Sequence, residues 1–150
     1  MSRKKPVDQM SLKIESRSVN ESFARVAVSA FAAQQDPTVE EISDIKTAVS
    51  EAVTNCIVHA YPASVGEIYI WVGLFDDGLV RIRIRDRGCG IIDVRQAMEP
   101  LFTPLGGERA GLGFAVMESF MDKVRVRSVP GKGTSVTMDK FIKGRGDGQG

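Results

Sequence analysis

Ser50-Glu51-Ala52-Val53-Thr54-Asn55 is the stretch on which the fold turns. It lies within Val39 to Ala60, where Ile42, Ile45, Val49, Ala52, Val53 and Cys56 recur at helical spacing. That periodicity predicts a helix with one buried stripe. At ~100° per residue, Glu51 and Asn55 stand one turn apart, on a strip roughly 110–150° from the centre of the stripe. A carboxylate and a carboxamide thus project side by side next to the core. Alone, such a pair is an ordinary solvated helix flank. Three glycine clusters downstream give it weight: Asp86-Arg87-Gly88-Cys89-Gly90, Gly111-Leu112-Gly113-Phe114 and Gly131-Lys132-Gly133-Thr134.

Working outward, the 150 residues, 43% of them hydrophobic, suit one globular domain that buries roughly 68–70% of its unfolded surface. Net charge is +1, so nothing global argues for nucleic acid or an anionic membrane. No apolar run approaches the ~20 residues of a membrane span, and Met1-Ser2-Arg3-Lys4-Lys5 leads into no signal-peptide core. Cys56 and Cys89 lack metal-ligand spacing, so reduced thiols in a cytoplasmic protein are expected.

Residues 1–9 read as a flexible basic leader, 10–142 as the domain and 143–150 as a disordered tail. Met10 to Ser16 alternates like a half-buried strand. A helix is predicted from Val19 to Gln34, with Val19, Phe23, Val26, Ala27, Ala30 and Phe31 on its core face. Its Glu21 and Arg25 form either an intrahelical ion pair or part of a partner-binding surface. Asp36-Pro37 ends that helix, and Thr38-Val39-Glu40-Glu41 is a capping box that launches the central one. The single histidine, His59, continues the Glu51–Asn55 strip and reads as a partly exposed helix-end residue.

Glu67 to Phe75 and Leu79 to Asp86 are strands joined by a tight turn at Asp76-Asp77-Gly78. Arg81, Arg83 and Arg85 mark a solvated sheet face. A short helix fits Asp93 to Met98. Pro100 to Gly107 is long and aperiodic, the form of a lid, and Arg109 is its best phosphate ligand. Gly111-Leu112-Gly113 opens a helix to about Met121, offering free N–H groups to phosphate. Strands at Lys123–Val129 and Thr134–Phe141 flank the last glycine turn. About five strands and three helices without regular βαβ alternation predict an α/β (α+β) two-layer sandwich, a mixed β-sheet with helices on one face. No Walker-type loop is present.

The ordered set Glu-x-x-x-Asn, Asp-x-Gly-x-Gly, Gly-x-Gly and Gly-x-Gly-Thr resembles the ATP-binding fold of gyrase, Hsp90, histidine kinases and MutL. Asn20-Glu21-Ser22-Phe23-Ala24-Arg25, Ser50 to Asn55 and Pro100-Leu101-Phe102-Thr103 resemble, more closely, the anti-sigma F factor family within it. The resemblance spans roughly residues 10–140. It implies ATP between helices and sheet, with Asp86 on the adenine amine and Gly88, Gly90, Thr103, Gly111, Gly113 and Thr134 around the nucleotide. It further implies Mg²⁺ on Asn55, Glu51 as general base and Arg109 as the catalytic cation. One departure is that Thr103-Pro104-Leu105-Gly106-Gly107 lacks the lysine common in such lids, which shifts cationic work to Arg109.

By resemblance, the function is that of an anti-sigma factor and protein serine kinase. Its partners would be a sporulation sigma factor, faced by Glu21 and Arg25, and a small anti-anti-sigma protein carrying the acceptor serine, in a homodimer. Two alternatives stay open: a binding module that ATP merely orders, and a histidine-kinase-like catalytic domain. The second is disfavoured because the sole His59 lies inside the ATP-site helix.

Overall fold

The computed structural model describes residues 5–91, 94, 98 and 113–144. In chain order it comprises β1 (Asp8–Glu15), α1 (Val19–Ala32), α2 (Val39–Asn55), β2 (Glu67–Leu74), β3 (Leu79–Asp86), α3 (Phe114–Phe120), β4 (Lys123–Val129) and β5 (Gly133–Phe141). The strands form one sheet in the order β1-β2-β3-β5-β4.

Helix α2 starts as its sequence dictates. The Thr38 hydroxyl accepts the Glu41 N–H at 3.0 Å, and the Glu41 carboxylate accepts the Thr38 N–H at 2.9 Å, which satisfies two of the donors that a helix start leaves without partners. At its far end the helix widens into a π-type turn, Cys56–Ala60, closed by the Tyr61 N–H on the Cys56 carbonyl. Ile45, Ala48, Val49, Ala52 and Val53 of α2, with Cys56 of the turn that follows, are buried with Ile68, Ile70, Val72, Ile82, Ile84, Val136 and Met138 of the sheet. Each large aliphatic side chain so buried stabilises the fold by ~1.5–3 kcal/mol. The two layers therefore meet along the stripe read from the sequence, which fixes the side on which Glu51 and Asn55 stand.

Two expectations are corrected. The sheet is antiparallel throughout, not mixed: all four neighbouring pairs run in opposite directions. The cause lies in the last hairpin, which inserts its second strand, β5, beside β3. Had β4 taken that place, the pair would have been parallel. The second correction concerns α1, which buries Ala24, Val28 and Ala32 and leaves Val19, Phe23 and Val26 at 72%, 53% and 56% exposure. A stripe of small residues spaced by four lets α1 lie close on α2, and the bulkier apolar residues fall outside that contact. In addition, β1 begins at Asp8, two residues before the strand read from the sequence.

Arg81, Arg83 and Arg85 stand on the helix-free face as expected, packed over Phe75, Trp71 and Tyr69 respectively. Among the described residues no helix is long and apolar enough to cross a membrane.

Candidate functional site

The site is built around Asp86, the last residue of β3, which is only 6% exposed. Its Oδ1 accepts the N–H of Gly88 at 2.9 Å and of Thr134 at 3.2 Å. Its Oδ2 lies 3.5 Å from the Cys56 Sγ. The end of β3, the β4–β5 turn and the last turn of the central helix thus converge on one carboxylate. Burial pushes the Asp86 pKa up, and the Gly88 N–H, the Cys56 thiol and the Thr134 N–H each pull it back.

Gly88 and Gly90 keep the chain flat here. A Cβ on Gly88 would lie 2.3 Å from the Ala60 carbonyl oxygen, and the neighbouring Cys89 N–H bonds that same oxygen at 3.1 Å. A small cavity opens beside Asp86, walled by Ala52, Asn55, Cys56, His59, Ile84, Gly90, Ile91, Phe114, Thr134 and Val136. Its walls are mostly apolar, with one carboxylate at the base, which suits a flat heteroaromatic ring bearing an amine. It is small, at about 30 Å³, with room for water-sized molecules. Thr134 is fixed at its rim by a 2.7 Å bond to Ser128, whose hydroxyl also accepts the Ile91 N–H at 2.7 Å.

Asn55 lines this cavity and Glu51 does not. One turn back, Glu51 stands against Gly113, which precedes α3 with φ +73°; a Cβ there would fall 2.1 Å from Glu51 Oε1. Glu51 also lines an open groove between α1 and α2, shared with Arg25, Lys46 and Ser50. Burial raises the Glu51 pKa, the direction a general base needs to work near neutral pH. Glu21, from α1, accepts the Ser50 hydroxyl at 2.5 Å and pairs with Arg25 at 3.7 Å.

Of the residues singled out in the sequence, the structure brings Asn55, Asp86, Gly90 and Thr134 around one cavity, and Gly88 bonds Asp86 from outside its lining. Glu51 and Gly113 stand beside it, and Glu21 and Arg25 lie across the groove. Thr103, Arg109 and Gly111, together with the lid and Asp93, lie outside the described residues. His59 is half-buried in the last turn of the helix, the partly exposed helix-end position expected, and it also lines the cavity. Sequence reasoning missed Cys56 and Ser128. Cys56 read simply as a member of the core stripe, and Ser128 as part of a strand, so neither carried a separate signal. Among the described residues no cluster of three His, Cys, Asp or Glu could hold a metal ion.

Residues 14–140 match the family model of the histidine kinase-like ATPase domain. The chain is similar to an anti-sigma F factor of Caldanaerobacter subterraneus subsp. tengcongensis, at 59% identity over 90% of this chain and 94% of the relative. It is also similar to the anti-sigma F factor of Pasteuria penetrans, at 53% identity over 91% of this chain and 92% of the relative. Among solved structures, the RsbU and RsbW domains of Rv1364c from Mycobacterium tuberculosis superpose with a TM-score of 0.68 at 23% identity, over 91% of this chain and 32% of that one. That likeness bears on the fold alone.

Proposed function

The chain belongs to the anti-sigma F factor family and carries a histidine kinase-like ATPase domain; on that premise we propose that it is a protein serine kinase that also sequesters a sporulation sigma factor. The observation that carries this reading is the place of Glu51. It stands between the glycine turn at Gly113, on the nucleotide side, and the α1–α2 groove that holds Arg25. A partner docked over Arg25 would thereby present a hydroxyl to the carboxylate.

In this reading Asp86 receives the exocyclic amine of adenine, with Gly88, Gly90 and Thr134 shaping the ring pocket. Asn55 offers an amide oxygen beside the triphosphate, a suitable ligand for Mg²⁺. When bound, that ion would neutralise charge on the phosphates. Glu51 takes the proton of the incoming serine hydroxyl, and its burial, which raises its proton affinity, serves that step. Arg109 and Thr103 would act from the lid and Gly111 from the phosphate turn, as the family resemblance implies. Phosphoryl transfer depends chiefly on positioning and charge, so these residues need only be held, not reactive.

The docking surface is α1. Val19, Phe23 and Val26 form an exposed apolar strip on α1, which supports protein contact, and Arg25 stands roughly 100–160° around the helix from it, on the side of the α1–α2 groove. The partners would be the sigma factor and a small anti-anti-sigma protein carrying the acceptor serine, and the protein would work as a cytoplasmic homodimer. The test is incubation with terminally labelled ATP and each candidate partner, followed by locating the labelled residue. Phosphoserine on the small partner is expected. Tight sigma binding with no labelled protein would instead favour a module that ATP only orders.

A further inference from the structure

Cys56 sits where the core stripe of α2 runs into the cavity, and it does more than fill space. It is 3% exposed, its Sγ lies 3.5 Å from Asp86 Oδ2, and it forms part of the cavity wall. The carboxylate it meets is already committed on one side, since Oδ1 accepts both the Gly88 and the Thr134 N–H. Oδ2 is therefore the oxygen left to meet a ligand. An oxygen held by one donor keeps a direction for its remaining lone pair. An unheld one, on a carboxylate anchored only through Oδ1, takes up a proton more readily.

The thiol is suited to that work. Buried and 3.5 Å from Oδ2, its S–H is the donor and the carboxylate oxygen the acceptor. The other groups facing Asp86 do not substitute for it. The Tyr61 hydroxyl, from the turn after α2, accepts the Arg87 N–H and donates to the Glu67 carbonyl. The Arg87 side chain lies over Tyr69. Cys89 is exposed and donates to the His59 carbonyl, and the His59 ring stands in the cavity wall.

We propose that Cys56 is a positioning residue for nucleotide selection: its S–H fixes Asp86 Oδ2 as an acceptor aimed into the cavity, and so selects a purine with an amino group at C6. This rests on the reading of Asp86 as the adenine contact. A purine with a C6 carbonyl meets an oxygen facing an oxygen, and one with only hydrogen at C6 leaves Oδ2 with no ligand donor. The rival account is that Cys56 acts by packing, which would affect every purine alike.

The two accounts separate in calorimetric titrations with ATP and with purine riboside 5′-triphosphate, which differs only in having hydrogen at C6. The intact chain should prefer ATP. Cys56→Ala should weaken ATP binding by about three- to tenfold, the value of one hydrogen bond, and leave the purine analogue unchanged. Cys56→Val, which keeps the volume without a donor, gives the same contrast if the alanine variant folds poorly, and Cys56→Ser should restore the preference. The pH profile gives a second reading. Removing a donor to the ionised carboxylate raises the Asp86 pKa, so loss of ATP affinity on acidification should begin at higher pH in Cys56→Ala than in the parent. Equal weakening for both nucleotides, or no weakening for ATP, would overturn the proposal. Equal affinities of the parent for the two nucleotides would overturn the Asp86 assignment itself, a distinct outcome already visible before any substitution.

Discussion

Replacing Gly113 with alanine separates a stability effect from a catalytic one. Gly113 has φ +73°, a left-handed conformation that an L side chain occupies at ~1–2 kcal/mol. Its new Cβ would also fall 2.1 Å from Glu51 Oε1. That oxygen is the far end of a half-exposed side chain, so it can swing away at small energetic cost. Gly131 supplies the control, with φ +79° and nothing within 4 Å of its added Cβ. Both alanine variants should therefore lose about the same stability, lowering Tm by roughly 2–8 °C for a chain of this size. Their chemistry should differ. Moving the Glu51 carboxylate by roughly 1 Å can slow a positioned reaction ~10²-fold. Differential scanning calorimetry and single-turnover phosphate transfer to a serine partner measure the two effects. A Gly113→Ala variant that transfers phosphate as fast as Gly131→Ala would refute the placement of Glu51 at the reaction centre.

Three other predictions follow from named contacts. Asp86→Ala should weaken ATP by on the order of 1–3 kcal/mol and abolish the preference for ATP over GTP, as read by calorimetry. Arg25→Glu should weaken sigma binding and leave ATP affinity unchanged; a double-mutant cycle with Glu21 that returns only a few tenths of a kcal/mol in stability, with sigma binding intact, would reduce Arg25 to an ion-pair partner. Glu41→Gln, which keeps the acceptor and removes the charge, should destabilise the fold by ~0.3–1 kcal/mol at neutral pH. Burial raises the Glu41 pKa, but the N–H groups of Thr38, Lys143 and Gly144 and the Thr38 hydroxyl outweigh it and hold it below the usual carboxylate range. Its contribution is thus full above its unfolded pKa and lost as pH falls through the lower folded value. Acid unfolding of the parent should show that loss, and the glutamine variant should not.

What the sequence made legible was whatever depends on local chemistry. The Thr38–Glu41 box, the turn at Gly78 and the stripe on α2 each need only neighbours in the chain, and each lies where the residues placed it. Convergence of Asp86 with the Thr134 turn was legible only through the ordered motifs, since 48 positions separate the pair. The core face of α1 was misread because hydrophobicity favours Phe23 and Val26 over Ala24 and Ala32, whereas close helix packing favours the small residues. The direction of the β3–β5 pairing escaped because no local signal tells which strand of the last hairpin docks. Cys56 stayed hidden because a buried apolar position and a donor to a buried carboxylate look the same in one letter.

The most direct test of the account is single-turnover transfer by the parent and by Glu51→Gln, with ATP and serine partner both saturating. The substitution keeps the shape of the side chain and removes its capacity to accept a proton. The parent should label the partner serine. The variant should fold, bind ATP and hold sigma as before, and transfer at least ~10²-fold more slowly, the minimum a general base supplies. A variant within about threefold of the parent lies far below that range and would contradict the role given to Glu51, and a parent that binds sigma tightly yet labels no serine would contradict the kinase itself.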